Sequence, residues 1–130
     1  MRCGFAKGLL AVSALYGVGA VCAFLVHFAP VPTKGIDLWV ISSAVSVVLP
    51  YAMLFAVCRL ASDSLSVTVV TCAAILTTLL GGFVYFHAFG PNDGEYALAF
   101  FIVPIVQAPI VVVAWAVTWW RRRESHSVAA

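Results

Sequence analysis

Four stretches of this chain, Leu9 to Ala29, Leu38 to Cys58, Leu65 to Phe89 and Ala97 to Trp120, contain no Asp, Glu, Lys or Arg. Each is about 20 residues or longer, the length that carries an α-helix across a hydrocarbon core of about 30 Å. Hydrocarbon offers no water to a backbone N–H or C=O, so a spanning segment bonds to itself as a helix or closes into a barrel. The alternation of a barrel strand is absent. The sequence therefore predicts an all-α integral membrane protein with four transmembrane helices in an up-down bundle. Composition agrees: the chain is 64% hydrophobic and 9% charged, where a soluble domain is about 45–50% apolar and about 25% charged. A soluble fold of 130 residues has too small an interior to hide that much apolar surface.

Orientation is read from Lys and Arg, which collect on the cytoplasmic side of short connections. With four crossings, Arg2, Lys7, Arg59, Arg121, Arg122 and Arg123 fall on one side and only Lys34 on the other. Both termini are expected to be cytoplasmic, in the cell membrane, with 121–130 a short basic tail. Trp39 and Tyr96 at one level, and Trp115, Trp119 and Trp120 at the other, suit the aromatic belts of the two interfaces. The triple Arg run reads as a stop to translocation that also attracts anionic lipid. Although Arg2 and Lys7 precede it, the first run is longer than the 7–15 residues of a signal peptide's apolar region. Pro30 after Ala29 also opposes cleavage there, so a retained helix is expected.

The connections, roughly Pro30 to Asp37, Arg59 to Ser64 and Gly90 to Tyr96, hold no further domain, and 1–130 reads as a single membrane domain. Such short links make consecutive helices antiparallel neighbours. Small residues spaced by four let helices approach; Ser13 and Gly17, Gly19 and Ala23, and Ser42 and Ser46 have that spacing, and Gly81 and Gly82 thin the third helix. Displaced by 59 positions, Phe24 falls on Phe83, Pro32 on Pro91, Gly35 on Gly94 and Pro50 on Pro109. A duplication would relate the two hairpins by an axis along the membrane normal. Convergence on turn and kink residues is the simpler alternative.

Polar groups inside the runs are few. Pro50, Pro104 and Pro109 each remove a helix hydrogen bond and favour a kink. Gln107, between the last two, is the only amide in any run. An unpaired polar group in hydrocarbon costs several kcal/mol, so Gln107 either fixes the packing through an interhelical bond or lines a polar passage with Pro50, Pro104, Pro109, Ser42 and Ser46. His27 and His87, with Asp37, Asp93 and Glu95, could form an outer rim that senses protons or holds a metal. Histidines facing water or headgroups are the plainer reading. Cys3, Cys22, Cys58 and Cys72 form no CxxC pair and read as small hydrophobes. No cofactor or metal is expected.

No carboxylate or basic group lies within a run, which argues against a proton-coupled carrier, since such a carrier keeps one at membrane depth. No nucleophile, base and acid converge, so no enzyme is expected. No basic stripe interleaved with aromatics suggests nucleic acid. The expected partners are the lipid bilayer and another membrane protein, with self-association open. The leading expectation is an accessory or partner-binding membrane subunit; the alternative is a small homo-oligomeric transporter or channel with a polar passage near Gln107.

Overall fold

The computed structural model describes residues 3–28, 36–87 and 96–128. Within them the chain forms α1 (Gly4–Phe28), α2 (Ile36–Leu60), α3 (Ser64–His87) and α4 (Tyr96–Val128). All four are long and apolar enough to cross a membrane. The helices outrun the charge-free stretches: α1 takes in Lys7, and α4 runs through Arg121–Arg123 to Val128 instead of ending at Trp120. Helix geometry needs only backbone partners, so it persists past the apolar limit wherever no Pro or Gly stops it. Pro50, Pro104 and Pro109 all lie inside continuous helices.

The side-by-side order departs from a simple meander. α1 packs on α2 and α3, and α4 packs on α2 and α3, while α2 and α3 touch less closely and α1 and α4 scarcely meet. The four therefore form a rhomb in the order α1, α2, α4, α3. α2 and α3, joined by the short connection 61–63, face each other across its diagonal. A two-fold axis along the bundle would place α1 opposite α3 and α2 opposite α4. Here each of those pairs consists of direct neighbours, so the hairpins α1–α2 and α3–α4 lie side by side and lack that symmetry.

Small residues set this close approach. Ala6, Gly17, Ala20, Ala73, Ala74 and Ala114 are buried. Of the small pairs read from the sequence, Ser13 and Gly17 face inward, whereas Gly19 and Ala23 face outward. The core has two apolar parts. Leu10, Tyr51, Leu54, Val70 and Val111 centre the larger one, toward the arginine-bearing end. Ala20, Val21, Val47, Phe100 and Val103 form the smaller one toward the other end. Only 28–39% of each span's most apolar window is buried, and Leu15, Leu79, Phe83, Ile105 and Val113 stand on the outside. Apolar surface on this scale needs lipid or protein to cover it.

The cations of the described chain gather at one end. Lys7 and Arg59 each lie 5.7 Å from the centre of the Phe55 ring. Arg123 lies 3.6 Å over Trp119, which stacks on Trp115. Asp63 caps α3: its carboxylate accepts the Ser66 hydroxyl and backbone N–H, satisfying donors that a helix start leaves open. It also accepts from Arg121 Nε at 3.4 Å, and Arg121 bonds Glu124 at 3.0 Å. One carboxylate thus ties the start of α3 to the far end of α4.

The Ser66 and Arg121 bonds hold the Asp63 carboxyl below the ordinary carboxylate range. A depressed folded-state value contributes stability that is present above the unfolded-state value and is lost as pH falls through the folded one. In thermal unfolding followed by circular dichroism, Asp63→Asn should melt below the wild type at neutral pH, and the two should converge as acid protonates Asp63.

Candidate functional site

Gln107 is fully buried, where α2, α3 and α4 meet between the two apolar parts of the core. Its Nε2 donates to the Thr77 carbonyl at 2.9 Å and to the Tyr51 hydroxyl at 3.4 Å. A carbonyl can only accept, so the Thr77 bond fixes which end of the amide is nitrogen. One side chain on α4 thereby bonds to both of the diagonal helices, α2 and α3. Beside it, Ser13 of α1 pairs with Thr78 of α3 at 2.9 Å. Ser13 has already spent its proton on the Leu9 carbonyl at 2.8 Å, so Thr78 is the donor. Together these residues make a polar layer across the middle of an otherwise apolar core.

Three further threonine hydroxyls are satisfied within their own helices. Thr68, Thr71 and Thr118 each donate to the carbonyl four residues back, at 2.7–2.9 Å. Three buried polar atoms have no partner among the described residues: Ser43 Oγ, Thr77 Oγ1 and Gln107 Oε1. Buried groups of this kind generally carry an ordered water or belong to a working site.

The residues grouped with Gln107 disperse around this layer. Pro50 is buried beside Tyr51, Pro104 is half-buried, and Pro109 is exposed. Ser42 and Ser46 are half-buried on either side of the fully buried Ser43. Pro109 lines a groove of about 440 Å³ between α3 and α4, walled by Cys72, Ala73, Leu76, Val113 and Ala114 and almost wholly apolar. In the rim cluster, His87 is exposed; its Nδ1 lies 2.9 Å from the Phe83 carbonyl and its ring packs on Phe83. His27 and Asp37 lie in α1 and α2 with side chains outside the described set, and Asp93 and Glu95 lie outside the described residues. Among the described residues no group of three or more His, Cys, Asp or Glu comes together.

Two features escaped the sequence reading. Gly4 and Gly8 stand exposed on α1, and a Cβ built on either, or on Gly19, meets nothing within 4 Å. Their spacing of four is visible in the sequence, but both precede the apolar run that starts at Leu9. Cys3 and Cys58 are both buried in the core cluster at the arginine-bearing end, a proximity between residues too far apart in sequence to signal it. Compared with known proteins, the chain matches no family model, no curated sequence and no solved structure.

If the amide is the tie between helices, its loss is felt in stability. Gln107→Ala, which also opens a cavity, should cost about 2–3 kcal/mol, and the near-isosteric Gln107→Met about 1 kcal/mol or less. Unfolding in mixed detergent micelles, followed by circular dichroism, measures both. A Gln107→Met variant as stable as the wild type would mean that the polar bonds contribute nothing beyond volume.

Proposed function

We propose that this chain is an integral membrane protein that crosses the cell membrane four times with both ends cytoplasmic, and that it serves as a non-catalytic subunit docking onto another membrane protein. The topology draws on the clustering of Lys7, Arg59 and Arg121–Arg123 at one end, where positive charge marks the cytoplasmic side. The Trp119 and Phe55 rings under those cations suit the headgroup level.

The observation that carries the docking reading is the outward face of α1. Gly4, Gly8, Ala11, Leu15, Gly19 and Cys22 are all exposed, at intervals of three and four that line one side of a helix. Glycine inside a helix costs about 1 kcal/mol relative to alanine. Here three glycines give no return inside the chain, because nothing approaches them. Small residues at spacing four allow close contact with another helix in lipid, and a partner helix along this face would use them. The paired bundle core, with Gln107 closed between its neighbours, acts as the rigid support for that face.

A second reading, a small homo-oligomeric transporter or channel, draws on the three unpartnered buried atoms Ser43 Oγ, Thr77 Oγ1 and Gln107 Oε1, which a hydrated interior would satisfy. The two readings separate on extraction of the tagged protein from its native membrane in mild detergent. Docking predicts a second integral membrane protein at fixed stoichiometry, and about a tenfold lower recovery of it with Gly8→Leu, the effect of about 1.4 kcal/mol, at unchanged helicity. An oligomer of this chain alone would overturn the docking reading, and flux through liposomes that falls with Gln107→Ala would then establish the second.

A further inference from the structure

We propose that Lys7 and Arg59 hold the phosphate of one anionic phospholipid in the leaflet at the arginine-bearing end, with an acyl chain lying along the outer side of α2. Lys7 projects from the first turns of α1 and Arg59 from the last turn of α2. Their charged ends each lie 5.7 Å from the centre of the Phe55 ring, so they are separated by no more than twice that distance. Lys7 and Phe55 are half-buried and Arg59 is exposed. Two cations from different helices therefore share one ring at the edge of the bundle.

This arrangement lacks an anion. Asp63 and Glu124, the two carboxylates described at this end, both bond to Arg121, and neither Lys7 nor Arg59 has an ion-pair partner among the described residues. Arg59 suits its own helix, because a cation at a C-terminus complements the helix dipole. Lys7 does not: it lies near the positive end of α1, whose first turn holds no acidic residue, and close to a second cation. A phosphate set against the pair relieves both repulsions. The flexible four-carbon stem of Lys7 lets its ammonium swing to meet an anion that the Arg59 fork also bonds.

The surroundings favour a lipid over a free anion. From Arg59 the outer side of α2 continues through Ala56, Ala52, Leu49 and Val45, all exposed, at intervals of three and four that keep them in line with Arg59. Ala56 to Val45 rises about 16 Å, close to the hydrocarbon depth of one leaflet, which is half of about 30 Å. A chain laid there leaves its phosphate at the level of Arg59 and the Phe55 ring. A zwitterionic headgroup brings its own cation against Lys7 and Arg59, so the pair selects net negative charge. The inference rests on the membrane crossing proposed above and not on the docking of a partner.

The test adds phosphatidylglycerol or phosphatidylcholine to the purified, delipidated full-length protein in neutral detergent and counts bound lipid by native mass spectrometry. The wild type should hold one phosphatidylglycerol per chain in preference to phosphatidylcholine, and inorganic phosphate should not displace it. With about a fivefold loss for each cation removed from an anionic lipid, Lys7→Gln/Arg59→Gln should bind about thirtyfold more weakly, whereas Arg122→Gln/Arg123→Gln keeps wild-type affinity. Circular dichroism checks the fold, and if the Lys7→Gln/Arg59→Gln variant loses helicity, Lys7→Gln alone decides. Equal binding of the two lipids, displacement by inorganic phosphate, binding that survives loss of the cations, or an equal loss in the Arg122→Gln/Arg123→Gln variant would overturn the site. Resistance to alkaline extraction from membranes reads the crossing by itself, so failure of the lipid site and failure of the membrane reading are told apart.

Discussion

Buried polar groups among four helices this apolar have little but the protein itself to bond to, and the packing turns on where they find partners. The backbone largely meets that demand by remaining helical, each of the three internal prolines leaving one carbonyl without its helix donor. Hydroxyls meet it by turning back on their own helix, as Thr68, Thr71 and Thr118 do. Gln107 instead sends its Nε2 donor to two other helices, while its Oε1 has no partner among the described residues. Its bonds to Thr77 and Tyr51 are the means by which one side chain determines how three helices sit together.

The rhomb follows from the same requirement. Were α2 and α3 simple neighbours and α4 next to α1, Gln107 would not reach the Tyr51 hydroxyl and the Thr77 carbonyl at once. Placing α4 against both diagonal helices brings the three groups together and leaves α1 held chiefly by small-residue contacts and the Ser13–Thr78 bond. α1 is then the helix with the most of its small-residue surface left outside. At the arginine-bearing end, Asp63 joins α3 to α4 through Arg121, while α1 meets α2 through apolar contact that includes Cys3 and Cys58 and through Lys7 over the Phe55 ring. The interior is thus closed around Gln107, while the small-residue face of α1 stays open.

The existence of four helices was legible in the sequence because the absence of charge over about 20 residues is a strong signal that needs no knowledge of neighbours. The ends were less so: Lys7 and Arg121 to Val128 are helical, since charge ends a span without ending a helix. Gln107 was identifiable as the lone amide in any run, and its role as a tie between helices was one of two readings given. Its partners were not identifiable, because Tyr51 and Thr77 follow from lateral order, which short connections leave open: α2 and α3 touch, but less closely than either touches α4. The same limit hid the shared burial of Cys3 and Cys58. Gly4 and Gly8 were visible as a spacing, but whether a glycine faces inward or outward depends on the packed bundle. Of the outer-rim residues, His87 keeps to its own helix, bonding and stacking at Phe83.

The account stands on four crossings with the arginine-bearing end on one side, and single-cysteine labelling tests that most directly. In a background free of native cysteines, Ser62→Cys, Asp93→Cys and Ser125→Cys would be exposed in turn to a membrane-impermeant maleimide, in sealed vesicles of known orientation. The account predicts that Ser62→Cys and Ser125→Cys react from the cytoplasmic side and Asp93→Cys only from the other. Reaction of Ser62→Cys and Ser125→Cys from opposite sides would contradict it.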